Sequence, residues 1–546
     1  MNNPPQFTPM NKYLSGEIRK VLISLKLDES LKVYEVQPKV EVPAAESHGD
    51  YSTNIAMVLS RKINKNPLEF AEELKMLLLQ SDLKYVNTIE VVKPGFINFY
   101  LNTDWLYELC EYVLASGTEN VAKKDIGKNT KIQIEFVSAN PTGPLHVGNG
   151  WWAAYGDSLA RLLKRCGYNV VKEYYVNDTG GQIRVLGESI LAAKNNLEAP
   201  ENGYRGDYID ELAKDYRGPE DIYSAGKWAA ELILENIKLT LLKMNVEFDS
   251  WYSQNYIEQG GATAETLEEL SKLGLIYESD GATYLASEKL GDSRDRVLIK
   301  SNGDITYTFG DIAYHRDKFL KRKFDKVIDV FGADHHGQVA TLKAAVKAFG
   351  IYETKLEIQI GQMISLVGAK MSKRSGNFVK LEDFLNEVGV DATRLMPLMN
   401  SIDQATVLDI DLVKSTSMEN PVYYMQYAYA RICSIEKRAK LLKDVISCKD
   451  EINFHLLSNY REISLLKVIS EFEDVVLDAA DSRKPHKITA WTKQLASSFH
   501  SFYHDCKVLD ESEIELTRAR LSLVKATKIT LAVSLEILGV TLPEHM

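Results

Sequence analysis

Residues 131–149 read KIQIEFVSANPTGPLHVGN, and in them a strand gives way to a helix. KIQIEFVSA is a β-rich run, and NPTGP is a turn. Beyond it Trp152, Tyr155, Leu159, Leu162, Leu163 and Cys166 recur at three- and four-residue steps, which predicts an amphipathic helix ending at Gly167. YNVVKEYYV, from Tyr168, is the next strand. A strand, a helix and a strand with short joints make a βαβ unit and imply a parallel sheet. Ligands of such sheets sit beyond the carboxyl ends of the strands, so NPTGPLHVGN (140–149) and NDTGGQ (177–182) face the ligand.

Working outward, residues 1–112 mix helix and strand signals, an α+β pattern. YSTNIAMVLSRKI and PLEFAEELKMLLL have helical spacing, and IEVVKPGFINFYL reads as two strands broken at Pro94–Gly95. GTENVAKKDIGKNT is expected to be a linker. A central α/β domain then runs over 128–415, with a mainly helical insertion at about 187–290. Within it DRVLIKSNGDITYTF predicts a hairpin turning at Asn302–Gly303 in a type I′ turn, and KVIDVFGADHHGQVATLKAAVKAF returns the chain to the sheet. Residues 416–546 carry helical signals only, an all-α bundle.

The 546 residues carry a net charge of −11, which opposes indiscriminate coating of nucleic acid. Basic stretches still exist: RDKFLKRKFDK from Arg316, AKMSKRS around Lys370 and EKRAKLLK from Glu436, each read alone as a solvated face. No apolar run is long enough to span a bilayer, and the N-terminus lacks signal-peptide features. Cys110, Cys166, Cys433, Cys448 and Cys506 never form a C-x-x-C pair, so free thiols in a reducing cytoplasm and no structural metal are expected. His335 and His336 in GADHHGQ do not suggest a metal site, because adjacent side chains diverge.

The chemistry concentrates in two stretches. In PLHVGN, Gly148 lets a nucleotide approach the backbone, the helix start offers N–H groups to an anion, and His146 can donate to a phosphoryl oxygen. In VGAKMSKRSGN (367–377), Lys370 and Lys373 can close over a triphosphate and neutralise developing charge.

HVGN followed by KMSK resembles the signatures of class I aminoacyl-tRNA synthetases. The longer strings EFVSANPTGPLHVGN, YYVNDTGGQI, YTFGDIAYHRDK, FGADHHGQV and ENPVYYMQYAYARI, with SHGDYSTNIAMVLS and KPGFINFYL near the N-terminus, are similar to the arginyl-tRNA synthetase family. The resemblance spans nearly the whole chain. It implies a Rossmann-type catalytic domain, a tRNA-contacting N-terminal domain and an anticodon-binding helical bundle. The implied activity is arginine–tRNA ligase: ATP with Mg²⁺ activates arginine, which passes to the terminal adenosine of tRNA(Arg). His146, Lys370 and Lys373 would be catalytic. Pro144, Leu145, His146, Val147, Gly148, Asn149, Lys370, Met371, Ser372 and Lys373 would hold ATP. Glu135, Ser138, Asn140, Tyr307, Asp311 and Gln338 would hold arginine, with Asp311 also weighed as a helix N-cap. Tyr423, Tyr427 and Arg431 would stack on tRNA bases. The sequence departs from the family signature at Asn149, where a histidine is usual; an amide there carries no charge. A monomer without membrane contact is expected.

Overall fold

A computed structural model describes residues 7–25, 36–362, 364–367, 379–441 and 451–546. The chain opens with α1 (Met10–Ser24), a small antiparallel sheet and two helices: β1 (Val40–Glu41), β2 (Tyr51–Thr53), α2 (Ile55–Ile63), α3 (Pro67–Leu79), β3 (Val86–Val92) and β4 (Phe96–Leu101), in the order β1-β2-β4-β3. Asn66 caps α3, accepting from the Leu68 N–H at 2.9 Å, and Pro67 starts it. The stretch expected as a linker is partly ordered structure. The helix α4 (Asp104–Asn120) runs into it, breaking at Gly117 (φ 57°), and Val121 and Ala122 are buried.

The central sheet has five parallel strands: β5 (Lys131–Glu135), β6 (Asn169–Val176), β7 (Ser250–Ser253), β11 (Lys326–Gly332) and β12 (Leu356–Gly361), ordered β12-β11-β5-β6-β7. The strand order reverses between β5 and β11, the crevice where doubly wound sheets bind ligands. The helix α5 (Val147–Arg165) joins β5 to β6 as expected. It is buried on nearly all sides rather than on one stripe, because the C-terminal helices cover the face turned away from the sheet.

Between β6 and β11 lie α6 (Gly181–Lys194), α7 (Asp207–Asp215), α8 (Ile222–Lys243), α9 (Gln254–Gln259) and α10 (Ala262–Lys272), then β8 (Ile276–Ser279), β9 (Ala282–Leu285) and β10 (Arg296–Ile299). The insertion expected to be mainly helical also supplies β7 of the central sheet, a strand of only four residues that gives too short a pattern to recognise. One expectation fails here. The expected hairpin is reduced to an isolated bridge, Ile299 to Ile305, because Tyr307 already begins α11 (Tyr307–Arg316) and β10 pairs with β9 instead. Its turn is not type I′ either. Only Gly303 has positive φ, and its N–H donates to the Lys300 carbonyl at 2.9 Å, the three-residue loop with glycine in the left-handed position.

After β11 come α12 (Val339–Ala348), β12, β13 (Ile364–Val367), α13 (Leu381–Val388), α14 (Val390–Leu395), β14 (Thr406–Asp409) and α15 (Ile410–Lys414). The remainder is helical: α16 (Pro421–Ala439), α17 (Tyr460–Ser470), α18 (Phe472–Ser482), α19 (His486–Asp505) and α20 (Ile514–Leu538).

Candidate active site

Glu135 ends β5, directly opposite Asp329 of β11. The chain then turns abruptly. Val137 (φ 70°) and Ser138 (φ 37°) are both left-handed, and the Ser138 N–H donates to the Phe136 carbonyl at 3.0 Å, a tight γ-turn around a β-branched residue. Such strain persists only where the surroundings impose it. Here the turn brings the Ser138 hydroxyl back to donate to Glu135 Oε1 at 3.0 Å, while it accepts from the Tyr175 N–H of β6 at 3.1 Å.

Beneath Glu135 is a buried network of charges. Lys318, wholly buried, donates to Glu135 Oε2 at 2.7 Å and to Asp329 Oδ1 at 2.9 Å. His315 sets Nε2 against Asp329 Oδ2 at 2.8 Å and Nδ1 against the Asp311 carbonyl at 2.7 Å. Burial works against the charge on Lys318, but Asp329, Glu135 and Glu173 hold its pKa above the usual lysine value. Asp311 sits in mid-helix, so it is not an N-cap; Thr306 caps α11 instead, accepting from the Phe309 N–H. Burial pushes the Asp311 carboxyl up to about 6, with Glu135 and Asp329 adding to the rise and His315 and Lys318 opposing it. Tyr307 lies one turn before Asp311 on the same face of α11 and is exposed. Asn140 and Gln338 are exposed at the carboxyl ends of β5 and β11.

The strand–helix joint is built by two segments. Val147 N–H donates to the Val379 carbonyl at 3.1 Å, Leu381 N–H donates to the Leu145 carbonyl at 2.7 Å, and His146 bridges Lys380. Lys370, Met371, Ser372 and Lys373 lie outside the described residues, but the chain that follows them returns to His146. A Cβ at Gly148 would stand 2.9 Å from the His146 ring, so the imidazole would have to shift to admit it. Partial desolvation lowers the His146 pKa, which favours the neutral ring as a hydrogen-bond donor.

Three residues expected at ATP have other work. Asn149 is buried, and its side-chain oxygen accepts from the His146 N–H at 2.9 Å, closing the first turn of α5. Leu145 and Val147 are core side chains, and the Leu145 carbonyl and Val147 N–H are already bonded across the joint. Pro144 is exposed beside it.

In the C-terminal region Tyr423, Tyr427 and Arg431 form a half-buried ladder on α16. The two rings stack at 5.7 Å, and the Arg431 guanidinium lies 4.5 Å from the Tyr427 centroid and 4.9 Å from that of Tyr503.

Family models match the chain from end to end. They are an arginyl tRNA synthetase N-terminal domain over 12–101, a class I (R) tRNA synthetase catalytic domain over 111–227 and 235–422, and a DALR anticodon-binding domain over 425–546. The chain belongs to the arginyl-tRNA synthetases. It is 42% identical to an arginine–tRNA ligase of Bacillus licheniformis, over 98% of this chain and 99% of that one. It is 43% identical to one of Geobacillus thermodenitrificans over the same shares. Arginyl-tRNA synthetase of Thermus thermophilus has the same fold, with a TM-score of 0.78 at 22% identity, covering 98% of this chain and 100% of that one.

The sequence reading missed the synthetase's charged floor. RDKFLKRKFDK was read as a solvated basic face, yet Lys318 is fully buried and Arg322 binds Glu173 and Asp317. Arg316 and Lys321 pair with Glu265 and Glu269 of α10. The missed signal is HRDK itself: His315 and Lys318 stand three apart, on one helical face, as apolar residues would.

Proposed function

We infer that this arginine–tRNA ligase works at the crevice between β5 and β11. The arginine carboxylate attacks the α-phosphorus of ATP, the bond to the bridging oxygen breaks, and arginyl-adenylate and pyrophosphate form. A ribose hydroxyl of the terminal adenosine of tRNA(Arg) then attacks the carbonyl carbon, and AMP leaves with the anhydride oxygen.

Glu135 and Asp311 suit a guanidinium, whose fork of donors needs carboxylate acceptors from more than one direction. Tyr307, Ser138, Asn140 and Gln338 border the same space. ATP lies over the joint at Pro144, His146 and Gly148, with its phosphates at the start of α5. A neutral His146 donates to the developing charge, and Lys370 and Lys373, with Met371 and Ser372 between them, close from the other side. Mg²⁺ accompanies ATP as part of the substrate, taking phosphate oxygens as ligands. Among the described residues no group of three or more His, Cys, Asp or Glu could hold a metal. Tyr423, Tyr427 and Arg431 offer stacking faces to unpaired tRNA bases, and the same reading takes the enzyme as a cytoplasmic monomer.

The pairing of Leu145–Val147 with Val379–Leu381 carries this reading. Val379 is six residues beyond Lys373, so at most about 22 Å of extended chain separates the Lys373 backbone from the His146 joint. The test is pyrophosphate exchange with each amino acid, with and without tRNA. Arginine alone should support it. Lys373→Ala should lower kcat by about a hundredfold or more while the ATP KM changes little, as for a donor that acts in the transition state. Equal losses in both would remove Lys373 from that role.

A further inference from the structure

The pocket assigned to arginine has a feature that gripping a side chain does not require: a lysine buried under one of its carboxylates. Lys318 sits in a π-type turn, Asp317–Lys321, that follows α11. Turns of this kind are rare and recur at functional sites. Its ammonium bridges Glu135 and Asp329, which face each other in register on adjacent parallel strands. Two buried carboxylates so placed would repel, and one would take up a proton. The bridge prevents that, and it fixes the rotation of Glu135. Oε2 is turned down to Lys318, and Oε1 is turned to Ser138 at the mouth of the pocket. His315 completes the floor. One ring nitrogen meets the Asp311 carbonyl and the other the Asp329 carboxylate, so the imidazole ties the helix to the strand beneath Lys318.

We propose that Lys318, with His315 behind it, is a positioning residue for arginine, a cationic floor that orients Glu135 and keeps the pocket's carboxylates ionised before the guanidinium arrives. The groups facing Asp311 are His315 from its own helix, Lys318 from the π-turn, Glu135 from β5, Asp329 from β11 and Tyr175 from β6. With Lys318 in place, the guanidinium finds Glu135 already aimed. The proposal rests on the assignment of Glu135 and Asp311 to arginine.

The experiment measures kcat and KM for arginine and for ATP across pH 5–8, by pyrophosphate exchange with tRNA present. Lys318→Met should raise the arginine KM roughly tenfold or more at pH 7, leave the ATP KM within about twofold, and move the acid limb of kcat/KM for arginine upward by about one pH unit. A fall in kcat with the arginine KM and the acid limb unmoved would reduce Lys318 to a structural part. Because that variant leaves Glu135 and Asp329 facing each other, Lys318→Met combined with Asp329→Asn is measured beside it. This pair removes both charges, and the arginine KM should still rise because Glu135 has lost its clamp. An unchanged KM in the folded double variant overturns the proposal. Glu135→Gln and Asp311→Asn separate the two layers. If they leave the arginine KM untouched, the pocket assignment fails. If they raise it and the Lys318 variants do not, only the floor fails.

Discussion

Asp311 is a buried carboxyl whose proton the fold holds well above the usual carboxylate range. Its carboxyl titrates at about 6 because burial raises it, helped by Glu135 and Asp329. A carboxyl whose folded pKa lies above its unfolded value binds its proton more tightly when folded, so it costs stability as pH rises from about 4 to 6. In the proposed pocket the guanidinium of arginine would reverse that cost by pairing with the ionised form. Two outcomes follow. The kcat/KM for arginine should fall about tenfold for each pH unit below 6, and the rise in Tm caused by saturating arginine should be larger at pH 7.5 than at pH 5. Asp311→Asn should abolish both dependences and lower kcat/KM for arginine by about ten- to a hundredfold, the worth of a hydrogen bond to a charged group. A Tm rise equal at the two pH values would place Asp311 outside the pocket. Its neighbour Glu135 is held in place by single hydrogen bonds from Lys318 and Ser138, one to each oxygen, which leaves each oxygen able to accept another.

At the scale of elements, the joint between β5 and α5 was legible because each part obeys a local rule. The strand alternates, the turn holds proline and glycine, and the helix repeats every three or four residues. Gly148 shows how tightly that joint is fitted: a methyl group would stand 2.9 Å from the His146 ring. Gly148→Ala should therefore displace the imidazole, lowering kcat for adenylate formation by tenfold or more while Tm, read by calorimetry, shifts by only about 1–3 °C, since the residue sits at a helix start and not in the core. A normal kcat would show that the ring's placement is not needed. What the sequence hid were elements set by distant partners. The stretch IKSNGDITYTF has the alternation of a hairpin, but Thr306 caps a helix there and takes Tyr307 out of any strand. The four residues of β7 are recognisable only by their pairing with β6. Lys318 and Arg322 look like surface cations until strands from elsewhere in the chain surround them with carboxylates. Charge patterns reveal sign, and burial depends on what folds over them.

Across the whole molecule, the catalytic sheet and the C-terminal helices meet at one buried guanidinium. Arg394 of α14 is fully buried. It pairs with Asp157 of α5 at 2.7 Å and donates to the carbonyls of Met244 and Asn245 at the end of α8, at 3.0 Å each, and of Leu538 at the end of α20, at 3.2 Å. Burial alone would raise the Asp157 pKa, but Arg394, Lys172 and Arg161 bring it down to about 2. Stability from this carboxylate is therefore present above about pH 4 and is lost as pH falls through 2. Gly539 (φ 69°) closes the site, since a Cβ there would come within 2.0 Å of the guanidinium. A second tie runs from Arg483 to Glu357 of the edge strand β12, and the Tyr155 hydroxyl of α5 donates to the Arg483 carbonyl at 2.8 Å. The helices that cover α5 thus reach the sheet both through α5, the element that also carries His146 at its start, and directly at β12. Arg394→Met removes a donor from three carbonyls, of which Asn245 keeps Arg161 and Leu538 keeps Ser158, and leaves Asp157 to Lys172 and Arg161. It should cost about 3–5 kcal/mol, the range for breaking a buried pair, and it should split urea unfolding into two transitions, with the C-terminal helices released first. Tryptophan fluorescence reports both regions, through Trp151 and Trp152 on α5 and Trp491 on α19. A single transition shifted by less than about 1 kcal/mol, the scale of an exposed ion pair, would mean that the apolar contact between α5 and α20 holds the two regions together without the guanidinium.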